Sequence, residues 1–244
     1  MILALDIGNS RVKWAWSGSE PSPDNARSWT PPTLIEVLEQ VSGSVPTPGK
    51  IFVSNVAGPA VEESLHNWAA TRHKGAALQF VRIQANAHGI KNIYPELGVD
   101  RFVALAAARR QTRDPLCVID CGTALTMSVL NADGSWAGGT ILPGLGLMRR
   151  ALAQNTHALT VTAVETGEIW THRTDEAIAA GTRYAVLGGI ETVWRRCQDR
   201  LGGALRCWLT GGEAHLLLPH LTMPVTHDPY LILRGLLWIA GGQI

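Results

Sequence analysis

Three short segments carry residue types suited to phosphate and cation chemistry: Asp6-Ile7-Gly8-Asn9, Asp120-Cys121-Gly122-Thr123 and Thr210-Gly211-Gly212-Glu213-Ala214. In the first two, an apolar run ends in an Asp-x-Gly-polar tetrapeptide, and the two lie in corresponding positions of the two halves of the chain. A tight turn of this kind presents backbone N–H groups and a small hydroxyl or amide beside a carboxylate. It suits phosphate on one side and a hydrated cation on the other. The paired glycines of the third segment let a ligand approach the main chain closely. A further acid, Asp100, stands in Gly98-Val99-Asp100-Arg101, where a loop enters a helix and a carboxylate can be aimed into a cleft. The plainer reading of that pair is a capping Asp100 with a surface Arg101.

These groups need a frame, and the hydrophobic pattern supplies it twice. Residues 2–16 and 116–130 each read as strand, Gly-containing turn and second strand. After the first hairpin, Ser17 to Pro32 reads as a loop and Thr33 to Val41 as a helix with Leu34, Val37, Leu38 and Val41 on one face. A strand at Ile51 to Ser54 follows, then a helix from Ala60 to about Thr71 behind Gly58-Pro59, a strand at Leu78 to Ile83 and a helix from Arg101 to about Arg113. The second half adds an extended piece at Ala137 to Leu142, a helix near Leu145 to Gln154 and a long helix from Thr174 to about Arg200. Gly188-Gly189 is a point where that helix can kink or break. A strand at Leu205 to Leu209, a short helix from Glu213 to Leu218 and a terminal helix from Pro229 to Ala240 complete the chain. The alternation predicts an α/β fold with mixed sheets flanked by helices, in two domains, 1–113 and 114–244.

Several chemistries are excluded. Gly49-Lys50 is followed by Ile51 and lacks the upstream glycine of a P-loop, and Gly144-Leu145-Gly146 lacks the third glycine of a dinucleotide fingerprint. A net charge of +1 with 17% charged residues gives no bulk electrostatic footprint for nucleic acid or a membrane. The four cysteines, Cys117, Cys121, Cys197 and Cys207, have no zinc-type spacing and read as reduced thiols. The opening Met1-Ile2-Leu3-Ala4-Leu5-Asp6 is neither a signal peptide nor a membrane span, so a cytoplasmic protein is expected. Nine tryptophans are many for 244 residues; those at 14 and 16 share a strand face and read as core or interface packing.

The three glycine-bearing segments, in this order, resemble the phosphate 1, phosphate 2 and adenosine motifs of the acetate kinase, sugar kinase, Hsp70 and actin superfamily. The fold so implied is a duplicated ribonuclease H-like, actin-like ATPase fold. Asn92 to Arg101 with Asp120 to Thr126, Gly138 to Gly144 and Thr174 to Gly181 further resembles the bacterial type III pantothenate kinases over nearly the whole chain. The resemblance implies ATP-dependent phosphorylation of pantothenate to 4′-phosphopantothenate, the first step toward coenzyme A. In that light Asp100 accepts the proton of the pantothenate hydroxyl, and Tyr94, Gly98, Val99, Arg101 and Thr174 contact pantothenate. Asp6, Ile7, Gly8, Asn9, Ser10, Arg11, Val12 and Lys13 form the first phosphate hairpin, where Asp6 orients Mg²⁺ through water. Thr123 contacts ATP, Asp120 binds a monovalent cation, K⁺ or NH₄⁺, and the chain is a homodimer that shares its substrate pockets. Other readings stand beside some of these: a packed loop aromatic for Tyr94, a solvated strand residue for Lys13 and a helix cap for Thr174. The chain also departs from the family pattern, with Ser128 where an acid is frequent and Thr156 to Thr160 without the usual Leu-Pro. The alternatives are a kinase of this superfamily for another small hydroxyl compound, or a non-catalytic regulator on the same scaffold.

Overall fold

The structure is a computed structural model and describes residues 1–43, 47–156, 167–202 and 205–241. It divides into two compact units, Met1–Gln111 together with the segment from Tyr230, and Thr112–Pro229.

The first unit is built on β1 (Ile2–Ile7), β2 (Arg11–Trp16), β3 (Ala26–Ser28), α1 (Leu34–Ser42), β4 (Lys50–Asn55), α2 (Pro59–Arg72), β5 (Ala77–Phe80) and α3 (Val99–Gln111). Its sheet runs β3-β2-β1-β4-β5, antiparallel at β1–β2 and β2–β3 and parallel at β1–β4 and β4–β5. Alternation along β1 sends Leu3, Leu5 and Ile7 into a core with α1 and α2, and turns Ala4 and Asp6 to the opposite face. The strand is apolar almost throughout because helices cover both faces. The loop predicted over Ser17 to Pro32 contains β3, a three-residue edge strand paired with Arg11 to Lys13. It has no hydrophobic signal because two of its residues are solvent-exposed.

In the second unit β6 (Leu116–Cys121), β7 (Ala124–Leu130), β8 (Trp136–Pro143), α4 (Leu145–Asn155), α5 (Thr174–Leu201), β9 (Arg206–Thr210), α6 (Ala214–Leu217) and β10 (Thr226–His227) follow in order. The sheet order β10-β9-β6-β7-β8 repeats the first sheet, with β6 in the place of β1 and β9 in that of β4. The duplication in the sequence is therefore a duplication of topology. Helix α5 runs unbroken through Gly188-Gly189. A Cβ at Gly189 would sit 3.0 Å from Leu142 Cδ1, so the glycine admits β8 closely and packing overrides its low helix propensity.

The terminal helix α7 (Leu231–Ile239) packs on α3, β1, β2 and β4. This differs from the linear division at residue 113, which leaves α7 with the second half. Gly235 makes the contact close: a Cβ there would lie 2.8 Å from both Val103 Cγ1 and Val103 O.

Candidate active site

The β1–β2 turn is held from outside itself. Gly8 N–H donates to Arg11 O at 3.0 Å, Trp29 N–H donates to Ser10 O at 3.2 Å and the Trp29 indole N–H donates to Gly8 O at 2.9 Å. Trp29 is buried next to the edge strand and fixes the turn from its far side, a role that nothing in the Pro- and Ser-rich sequence around it signals. Around this turn Asn9 and Arg11 are exposed and Gly8 and Ser10 half-buried. Ile7 and Val12 are fully buried, so they shape the turn from beneath and present no side chain to a ligand.

At this end of the first sheet, Lys13 stands opposite Asp6 across β1–β2, and Ser54 stands opposite Asp6 across β1–β4. Residues in register share a face, so the three form a row on the side covered by α3. Asp6 is 7% exposed and Ser54 fully buried, with no hydrogen-bond partner for its hydroxyl among the described residues. Helix α3 starts at Val99, which puts Asp100 in its first turn. The Arg101 N–H donates to Asp100 Oδ1 at 2.7 Å. Gly98 is needed here, since a Cβ would collide with the same oxygen. Burial raises the Asp100 carboxyl above its ordinary value, against the opposing pull of the Arg101 N–H, the Arg101 charge and the Lys13 ammonium. Arg101 is 8% exposed, not the surface residue of the plainer reading. Tyr94 is exposed and opens a turn in which Leu97 N–H donates to its carbonyl at 3.3 Å.

In the second unit the β6–β7, β8–α4 and β9–α6 turns are stitched together. Gly144 N–H donates to Thr123 O at 3.0 Å, and Glu213 N–H donates to Cys121 O at 2.9 Å. No side chain fits at Gly144, where a Cβ would strike the carbonyls of Gly122 and Thr123, or at Gly211, where it would strike Asp120 Oδ1 and the Cys121 backbone. Gly211 also has φ of +98°, a conformation that favours glycine. Thr123 is exposed and Asp120 half-buried. Burial, helped by the negative charges of Asp120 and Glu213, pushes the Cys121 thiol well above its ordinary value, which keeps it protonated and inert.

Thr174 is the first helical residue of α5, with Arg173 in the cap position, so the predicted capping role shifts by one. It rims an apolar cavity of about 680 Å³ between α4 and α5, lined by Pro143, Leu147, Met148, Leu152 and Ile178. Leu147 and Leu152 are among the exposed large apolar side chains. Ser128 is buried on β7 between β6 and β8. The stretch without Leu-Pro, residues 157–160, lies outside the described residues.

Among the described residues no group of three or more His, Cys, Asp or Glu is arranged to hold a metal ion. The carboxylate of Asp6, at the end of β1 beside the turn, would fit Mg²⁺, which retains several waters and is held by one or two carboxylates with substrate phosphates. Nor is any described helix long and apolar enough to cross a membrane.

Two sheets of one topology, each with an Asp-x-Gly turn at the end of its central strand, define the class: a duplicated actin-like fold. A Campylobacter jejuni structure, described as a Baf family transcriptional activator, matches over 98% of this chain and 97% of its own with TM-score 0.60 and 24% identity. The Lmo2764 protein from Listeria monocytogenes covers 97% of each chain with TM-score 0.51 and 14% identity. At these identities the likeness is one of fold. The family model for type III pantothenate kinase matches residues 2–196. A type III pantothenate kinase from Nitrosococcus oceani is 38% identical, covering 98% of this chain and 94% of its own. One from Azoarcus sp. strain BH72 is 35% identical over 100% of this chain and 92% of its own. The chain belongs to the type III pantothenate kinase family.

Proposed function

We propose that this chain transfers the γ-phosphoryl group of ATP to the terminal hydroxyl of pantothenate, with Asp100 as the base. The observation that carries this reading is the position of Asp100 in the first turn of α3, within reach of the charge of Lys13, which itself stands opposite Asp6 in the β1–β2 ladder. Phosphoryl transfer through a loose transition state asks mainly for alignment and charge neutralisation. Lys13, the turn amides at Asn9 and Ser10, and Thr123 supply these to the phosphates. Asp6 orients Mg²⁺, which when bound offsets phosphate charge. Asp100 then takes the hydroxyl proton late, a task that suits a carboxyl made more basic by burial.

Asp120 is the ligand for a monovalent cation, supported by its carboxylate lying against the side-chain-free Gly211. Tyr94, Gly98, Val99, Arg101 and Thr174 bind pantothenate. The exposed apolar edge at Leu147 and Leu152, beside Thr174, supports a homodimer formed through α4 and α5. Sedimentation of Leu147→Glu tests the dimer: the variant should be monomeric at concentrations where the parent is dimeric.

The kinase reading is tested by ATP consumption with pantothenate and Mg²⁺, with and without K⁺, beside a panel of other small hydroxyl compounds. Pantothenate-dependent ADP formation that K⁺ accelerates is expected. A different preferred acceptor, or no ADP with any, would reject it.

A further inference from the structure

Glu213 occupies a position that no ligand role requires. It follows the two glycines of the β9–α6 turn, is half-buried and makes two contacts with different elements. Its N–H donates to Cys121 O at the end of β6, 2.9 Å away. Its carboxylate Oε1 accepts the N–H of Gly146, in the first turn of α4, at 3.1 Å. The cap position of α4 is Gly144, which has no side chain to satisfy the first N–H groups of the helix. Glu213 supplies the missing acceptor from 67 residues away, and its negative charge suits the positive end of α4. Both carboxylate oxygens lie close to the α4 entry, since a Cβ at Gly146 would meet Oε1 at 3.0 Å and one at Gly144 would meet Oε2 at 3.2 Å.

The geometry points to Glu213 as a positioning residue for the nucleotide, a single side chain that clamps the β9–α6 turn to both β6 and the start of α4. It rests on the reading of Thr123 and Gly211-Gly212 as the ATP side of the site. Each turn it joins carries one of those elements or abuts it: Gly211-Gly212 precedes Glu213, Thr123 accepts from Gly144, and Gly144 opens α4. Without the clamp, these turns keep their own backbone contacts but lose a side-chain bond that fixes α4 against the adenosine turn. The expected defect is therefore in nucleotide affinity, not in pantothenate binding or proton transfer.

Steady-state kinetics on the full chain test this with three variants. Glu213→Ala should raise KM for ATP by about tenfold, the scale of a lost charge-assisted hydrogen bond, and leave KM for pantothenate within about twofold of the parent. Glu213→Gln keeps a carbonyl acceptor and should recover most of that loss. Gly146→Ala favours the helix and so folds safely, yet crowds Oε1; it should reproduce the ATP defect. An unchanged KM for ATP in both Glu213→Ala and Gly146→Ala, a parallel rise for both substrates, or Glu213→Gln as impaired as Glu213→Ala overturns the assignment. If the parent chain has no pantothenate-dependent kinase activity, the proposed kinase reading fails instead, and the two failures are told apart.

Discussion

Lys13 lies directly opposite Asp6 in the β1–β2 ladder, and its charge also lowers the carboxyl of Asp100 against the larger upward effect of burial. A base works only when deprotonated, so kcat/KM should fall on the acid side through a value above the ordinary carboxylate value of about 3.9. Lys13→Met removes a charge that favours the carboxylate, so that limb should move to higher pH, apart from any loss of rate. A pH–rate profile in which the limb stays put or moves down would show that Asp100 does not feel Lys13.

Asp100→Asn should lower kcat by about 10²–10⁴-fold, the usual range for a lost general base. Its effect on stability should have the opposite sense. A raised native pKa favours folding below the unfolded value, and that contribution is lost as pH rises through the native one. The neutral amide escapes the loss, so at pH 7 the variant should melt no lower than the parent. A near-normal kcat in the folded variant would remove Asp100 from the mechanism.

Ser54 is buried in the row beside Asp6 with a hydroxyl that has no hydrogen-bond partner among the described residues. Such a group costs about 1 kcal/mol or more, so Ser54→Ala should raise the melting temperature by about 2–4 °C for a chain of this size. Thermal denaturation decides it, and a lower melting temperature means the hydroxyl is satisfied in solution.

At Gly235 two effects compete. Alanine is the better helix former by about 0.5–1 kcal/mol, but its Cβ would press on Val103, and overpacking of this kind costs about 1–3 kcal/mol. Gly235→Ala should therefore be destabilised in a chemical denaturation, whereas a stabilised variant would mean that α7 stands off from α3.

The parts of the fold that were legible are those where a local motif carries its own geometry. The Asp6 and Asp120 turns are legible because an apolar run, an acid and a glycine must be adjacent in sequence to make them. The role of Trp29 is not legible, because its partner Gly8 is reached by an indole from a polar stretch whose strand is only three residues long. Gly188-Gly189 read as a weak point because propensity is local, whereas the fit of Gly189 against Leu142 is tertiary. The hydrophobic pattern of α7 announces a buried helix, but no pattern says which sheet buries it. Glu213 was visible only as a member of the third glycine motif, since its bond to Gly146 joins elements far apart in the chain.

The packing of α7 separates the order of synthesis from the order of assembly. Residues 112–229 are contiguous and can complete their unit as soon as they are made, whereas β1, β2, β4 and α3 gain the contacts of α7 only after residues 231–239 exist. Until then the face of the first sheet that bears Asp6 and Ser54 lacks part of its cover. A lesion near the carboxyl end of the chain is thus felt by the unit that begins at the amino end.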